Sequence, residues 1–275
     1  MALTEAVTLG SLYAGIGGLE LGLLASFHEA GIPAQVLWQV ERDRFCQAVL
    51  QQNFPTATRF SDVASVSFPP RVDVLAGGFA CQDVSGAGRG AGMGTETRSG
   101  FTFLHLLRIV DEAHPACVVV ENVASGAKRW LPRVVRELED RGYRPFAVSL
   151  SAADVGAPHI RRRVFVLAYS SRTRPPWCDE LRALSDHRDG GPPRQAEPLL
   201  GRRGDGLPYD VASHRWPALS GRLPHAWEPA RALAKGERTP HRSAQVKALG
   251  NAVVPQCGLV VGRILLAMAR DSTSA

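Results

Sequence analysis

From Val7 to about Ser170 the chain alternates short apolar runs of strand length with helical stripes, and this alternation constrains the fold more than any other feature. VTLGSLYAG, AQVLWQV, VDVLAGG, ACVVVEN, FAVSLSA and RVFVLAY each end in glycine, a charge or a small polar residue, the pattern of buried strands. Between them Leu19, Leu23 and Phe27 recur at i, i+4 and i+8, and Phe103, Leu106, Leu107 and Val110 make a second stripe. Strands apolar on both sides need helices on both sides, so the expected fold is α/β with a Rossmann-like sheet.

Composition agrees. At 275 residues, 45% hydrophobic and 21% charged, the chain is ample to enclose a core and unlike a disordered one. No uninterrupted apolar run reaches the roughly 18 residues of a bilayer span. The start, MALTEAVTLG, has neither a basic segment nor a cleavable apolar core, so a soluble cytoplasmic protein with no membrane partner is expected. Five cysteines with no CxxC suggest reduced thiols, and no HExxH-like histidine spacing suggests a catalytic metal. The net charge of +6 and pI near 9.4 suit a polyanionic partner without requiring one.

Residues 171–243 break the alternation. They hold 10 of the 19 prolines, and 13 basic against 9 acidic residues put +4 of the net charge there. Prolines remove backbone donors and fix φ, so this stretch reads as an irregular basic lobe with Trp177, Trp216 and Trp227 as its core, or else as a disordered insertion. From about Gln245 a helix-rich pattern resumes. The expected division is a large lobe of 1–170 and 244–275, with the last helix returning beside the first turn, and a small lobe of 171–243.

Two places carry the pattern of a site. Gly15, Gly17 and Gly18 stand between the first strand and an amphipathic helix, where absent side chains either let a ligand reach backbone amides or merely permit tight packing. Glu41 ends the next strand 23 residues after Gly18, placed for ribose hydroxyls, and Asp62 lies further on, placed for an exocyclic amine. The second place is FACQDVSGAGRGAGMG, just past VDVLAGG. A Cys81 there lies where open α/β sheets keep their reactive groups, although a lone cysteine is more often a small buried hydrophobe.

The order of the downstream motifs decides more: ENV after ACVVV, then GAPHIRRRVFVLA, then ALGNAVVPQ. With LYAGIGG and GGFACQDVS, this ordered set resembles the cytosine-C5 DNA methyltransferase family, over both termini and nearly all of 8–170. The resemblance implies an S-adenosylmethionine-dependent methyltransferase sheet acting on double-stranded DNA, with residues 171–243 as target-recognition domain. It implies Cys81 as nucleophile on cytosine C6, Glu121 at the N3 edge, Arg163 at O2 and Arg161 nearby. It implies a cofactor site from Tyr13, Ala14, Gly15, Gly17, Gly18, Glu41, Asp62 and Asn251. For DNA contacts it points to Ser85, Arg89 and Arg98 around the glycine-rich loop, which either closes over DNA or is simply solvated, with Arg202 and Arg203 in the basic lobe. A monomer, working beside a cognate restriction endonuclease or in bacteriophage self-protection, suits such a chain.

Two departures stand out. The family usually has proline immediately before the cysteine, where this chain has Ala80, and His159 replaces a common glutamine. A tRNA cytosine methyltransferase, a non-enzymatic DNA-binding relative and a nicotinamide oxidoreductase are the rival readings, the last leaving the Cys loop, ENV and GNAVVP without a role.

Overall fold

The computed structural model describes residues 6–67, 69–84, 92–157, 159–178 and 242–271. Seven strands form one sheet: β1 (Val7–Leu12), β2 (Ala34–Val40), β3 (Thr58–Phe60), β4 (Val74–Gly77), β5 (Cys117–Val123), β6 (Tyr143–Ser151) and β7 (Arg162–Ser170). Their spatial order is β3-β2-β1-β4-β5-β7-β6. The first five are mutually parallel, while β7 runs antiparallel to both β5 and β6. The order reverses between β1 and β4, so the crevice beyond their C-terminal ends is where a sheet of this kind holds a ligand.

The helices are α1 (Gly18–Glu29), α2 (Arg44–Asn53), α3 (Arg98–Ala113), α4 (Ala127–Asp140), α5 (Arg242–Asn251) and α6 (Pro255–Asp271). They bury two cores, one on each face of the sheet. Leu19, Leu23 and Phe27 of α1 meet Val261 and Leu265 of α6 over Val119 and Phe165. Each such side chain, fully buried, contributes roughly 1.5–3 kcal/mol relative to exposure. On the other face Phe103, Leu106 and Val110 of α3 and Trp130, Val134 and Leu138 of α4 cover Val118, Val120 and Val166.

Helices α1 and α6 approach closely because Gly22 has no side chain: a Cβ there would stand 2.2 Å from the Pro255 carbonyl oxygen. The carbonyl of Val253 likewise occupies the space a Cβ on Gly18 would need, at 2.0 Å. The C-terminal segment thus seals the back of the first turn. Ser243–Ala269 has the length and hydropathy of a bilayer span, but half of it is buried, and its apolar face is the one packed on α1.

One difference from the sequence reading concerns the lobe boundary. Trp177 is fully buried and meets Phe27 edge-on, with ring centroids 5.0 Å apart. It belongs to the core of the α/β lobe, as does Cys178, so that lobe extends to 178. Trp216, Trp227 and the rest of the expected recognition lobe, 179–241, lie outside the described residues.

Candidate active site

The β1–α1 turn is built from left-handed backbone. Tyr13, Gly15 and Gly17 have φ of 59°, 58° and 86°, and a non-glycine residue at such a φ must be held there. Tyr13 is held by its phenol, which donates to the Thr102 carbonyl at 2.7 Å. The turn is tied to the tip of β2 by Ala14 N–H to the Val40 carbonyl, 3.1 Å, and by Gly15 N–H to Glu41 Oε2, 2.8 Å. Glu41 Oε1 accepts the Asp43 N–H at 2.7 Å. Two backbone amides therefore aim this carboxylate, and each oxygen keeps a lone pair for a ligand hydroxyl.

The three glycines divide their roles. A Cβ on Gly15 would meet nothing within 4 Å, whereas one on Gly17 would strike the Phe54 ring at 2.5 Å. Gly15 and Gly18 line the cleft, and Gly17 serves the packing beneath it. Asp62 caps a short 3-10 turn through Ala64 N–H, 3.0 Å, and is otherwise exposed to the cleft. Under the turn, buried Glu20 accepts the Ser11 hydroxyl, and burial pushes its carboxyl up to about 7.

The Cys loop leaves β4 at Gly77. Phe79 anchors it between Phe103 and Trp130, at centroid distances of 5.3 and 5.7 Å. Of the five cysteines Cys81 alone is partly exposed. Burial pushes the thiols of Cys46 and Cys257 up to about 12 and that of Cys117 well above its usual range, which keeps them inert. Accessibility singles out Cys81 as the thiol able to react.

Side-chain alternation on β5 places Glu121 and Asn122 on opposite faces. Asn122 donates to the Phe79 carbonyl at 3.0 Å and so fastens the Cys loop to β5. Glu121 faces β7, where it lies diagonal to Arg163 in the antiparallel register and pairs with it, Nε to Oε1, at 2.8 Å. Burial raises the Glu121 carboxyl, opposed by Arg163 and then Arg161. Arg161 is itself lowered, by burial first and by Arg163 second, and its Nε and Nη2 are buried without a hydrogen-bond partner.

One cleft of about 770 Å³ joins the two ends. Tyr13, Ala14, Gly15, Gly18, Glu41 and Asp62 line it from the β1–β2–β3 side and Cys81, Glu121 and Arg163 from the β4–β5–β7 side, and Arg98 and Asn251 line it as well. Arg161 opens onto an adjoining groove with His159, Ile160 and Arg162. Ser85, Arg89, Arg202 and Arg203 lie outside the described residues. Sequence reading passed over Thr102 and the clasp role of Asn122; the latter sits inside ENV, where the polar residue between two strand positions was the available sign.

Residues 7–188 match the family described as C-5 cytosine-specific DNA methylase. The chain is 35% identical to the Type II methyltransferase M.AquIA of Picosynechococcus, over 57% of this chain and 69% of that protein. It is 34% identical to the Type II methyltransferase M2.BsuMI of Bacillus subtilis, over 58% of this chain and 41% of that one. The fold matches the solved Entamoeba histolytica methyltransferase EhMeth with a TM-score of 0.50 at 19% identity, over 60% of this chain and 53% of that one. The chain thus spans between about two fifths and two thirds of the length of these proteins.

Proposed function

Because the chain belongs to the C-5 cytosine-specific DNA methylase family, we propose that it transfers a methyl group from S-adenosylmethionine to C5 of a cytosine in double-stranded DNA. The observation that carries this reading is the shared cleft: the one accessible thiol and the Glu121–Arg163 pair face the Glu41 end across it.

The cofactor end fits a nucleoside. Glu41 retains lone pairs for ribose hydroxyls, Asp62 exposes a carboxylate oxygen for an exocyclic amine, and the open space at Gly15 admits the ligand to backbone amides. Bound there, S-adenosylmethionine supplies an electrophilic methyl group.

Carbon 5 of cytosine is a poor nucleophile. Cys81 Sγ adds to C6, while Glu121 shares a proton with N3, and the electron density released makes C5 reactive. A carboxyl raised by burial holds that proton nearer neutrality than an exposed one would. Arg163 holds Glu121 through Oε1 and supplies a donor for O2. Once C5 is methylated its proton leaves and Cys81 departs from C6, which restores the aromatic ring. These atoms are hidden in a duplex, so the base turns out of the stack into the cleft. The protein acts as a monomer, residues 179–241 choose the target, and the Type II names of its relatives suit a role beside a restriction endonuclease.

The test is to incubate the protein with S-adenosylmethionine and unmethylated genomic DNA and map 5-methylcytosine at base resolution. Methylation at one short motif, absent with Cys81→Ser, is the expected outcome. Methylation of RNA in preference to DNA would overturn the substrate assignment.

A further inference from the structure

Ala80, immediately before Cys81, has what proline lacks, a backbone N–H, and that N–H is used. It donates to Thr102 Oγ1 at 3.0 Å, and the hydroxyl passes its own proton to the Arg98 carbonyl, 2.9 Å, or that of Ser99, 3.2 Å. Thr102 is largely buried in α3 at the wall of the cleft, and the hydroxyl, with its proton given to α3, accepts from the loop. Two residues beyond Cys81 a second clasp reaches the same helix: Asp83 N–H donates to Ser99 Oγ at 3.2 Å, and Ser99 N–H returns a bond to Asp83 Oδ2 at 2.9 Å. Cys81 is bracketed by two attachments to the first turns of α3.

We propose that Thr102 is the positioning residue for Cys81, its hydroxyl fixing by a hydrogen bond the loop conformation that a proline ring would otherwise impose. The proposal rests on the reading of Cys81 as nucleophile. A proline at 80 fixes φ covalently but removes the donor; Thr102 restrains the same peptide from the helix side. The two solutions exclude each other, because the ring Cδ of a proline would stand where the N–H now meets Oγ1. The carbonyl of Thr102 also takes the Tyr13 phenol, so one residue of α3 touches both the cofactor turn and the Cys loop, through different atoms.

That separation makes the role testable. Thr102→Val keeps the carbonyl and the shape and deletes the acceptor. At saturating DNA and cofactor its kcat should fall about 10- to 100-fold, the scale on which a misplaced reacting group is felt, with S-adenosylmethionine Kd within about twofold of the original because the Tyr13 bond is untouched. Thr102→Ser restores the hydroxyl and with it the rate. Ala80→Pro alone should also be slow, and Ala80→Pro with Thr102→Ala, which clears room for the ring, should be faster than either single variant. Undiminished kcat in Thr102→Val, or simple additivity in the double variant, would overturn the proposal. Amide hydrogen exchange at Ala80 gives a readout independent of turnover. Without cofactor or DNA it should be slow in the original chain and in Thr102→Ser and at least about tenfold faster in Thr102→Val, since an opened bond exposes the amide. Fast exchange in the original chain sinks the latch. An inactive original chain with a protected Ala80 amide would instead sink the assigned reaction and leave the latch standing.

Discussion

The two ends of the cleft are built from different materials. At the β1–β2 end the main chain does the positioning: amides of Gly15 and Asp43 aim the Glu41 carboxylate, and the C-terminal segment backs the turn through the Val253 carbonyl. At the β4–β5 end side chains do it, the Asn122 amide and the Thr102 hydroxyl for the Cys loop and an ion pair beyond it. Glu121 is locked to Arg163, and Arg161 leaves two buried nitrogens without a hydrogen-bond partner. A site fixed by backbone changes little when its ligand arrives. One held by side chains has more freedom to rearrange, since rotamers are softer than a hydrogen-bonded main chain.

Breaking the chemical end should cost most. Cys81→Ser is expected to reduce methyl transfer by at least about 10³-fold while cofactor affinity by calorimetry stays unchanged, since the lost thiolate is the attacking group. Glu121→Gln should lower kcat by about 10²- to 10⁴-fold, the range for a positioned proton donor, again with cofactor Kd retained. If either variant lost cofactor binding, the two ends would not be separable.

Beneath the β1–α1 turn lies one fully buried carboxyl, Glu20. Burial raises its folded carboxyl from 4.5 to about 7, so the native state binds this proton more tightly than the unfolded chain does. Its stabilisation is complete below about pH 4.5 and is lost as pH rises through about 7, a change on the order of 3 kcal/mol. Glu20→Gln, neutral throughout, should therefore gain stability relative to the original chain from pH 4.5 to 7 and above. Equal denaturation midpoints at pH 8 would contradict the assignment.

Glu41→Ala should weaken S-adenosylmethionine binding about 10- to 100-fold, the worth of hydrogen bonds to one charged group, and leave DNA affinity intact. Unchanged affinity by calorimetry would remove Glu41 from the ribose. The smallest effect belongs to Lys247, whose exposed ion pair with Asp43 at 2.7 Å ties α5 to α2. Lys247→Ala should shift Tm by less than about 2 °C, as exposed pairs contribute little.

Much of this was legible in the residues. The six apolar runs coincide with β1, β2, β4, β5, β6 and β7: burial on both faces leaves a continuous apolar signature in the inner strands, and the edge strand β6, exposed along much of its length, still shows one at Val148 and Leu150. The three residues of β3 are too few to leave one. The antiparallel insertion of β7 between β5 and β6 is a matter of tertiary pairing, and no single strand sequence encodes it. Helix α4 carries Trp130, Val134 and Leu138 on one face, but Pro132 and its many charges disguise it. Glu41 was visible from its spacing and Cys81 from its place after a strand. Thr102 was not, because a threonine among the apolar residues of a helix looks like packing until the chain 22 residues earlier is seen donating to it.

The most direct test of the central claim is a trapping experiment on a duplex carrying 5-fluorocytosine at the mapped target. Fluorine cannot leave as a proton does, so after methylation the Cys81–C6 bond cannot be released. The expected result, in the presence of S-adenosylmethionine, is a stable protein–DNA species whose mass includes one methyl group and whose attachment point is Cys81, absent with Cys81→Ser. Attachment at another residue, or no covalent species from a protein that methylates the ordinary duplex, would contradict it.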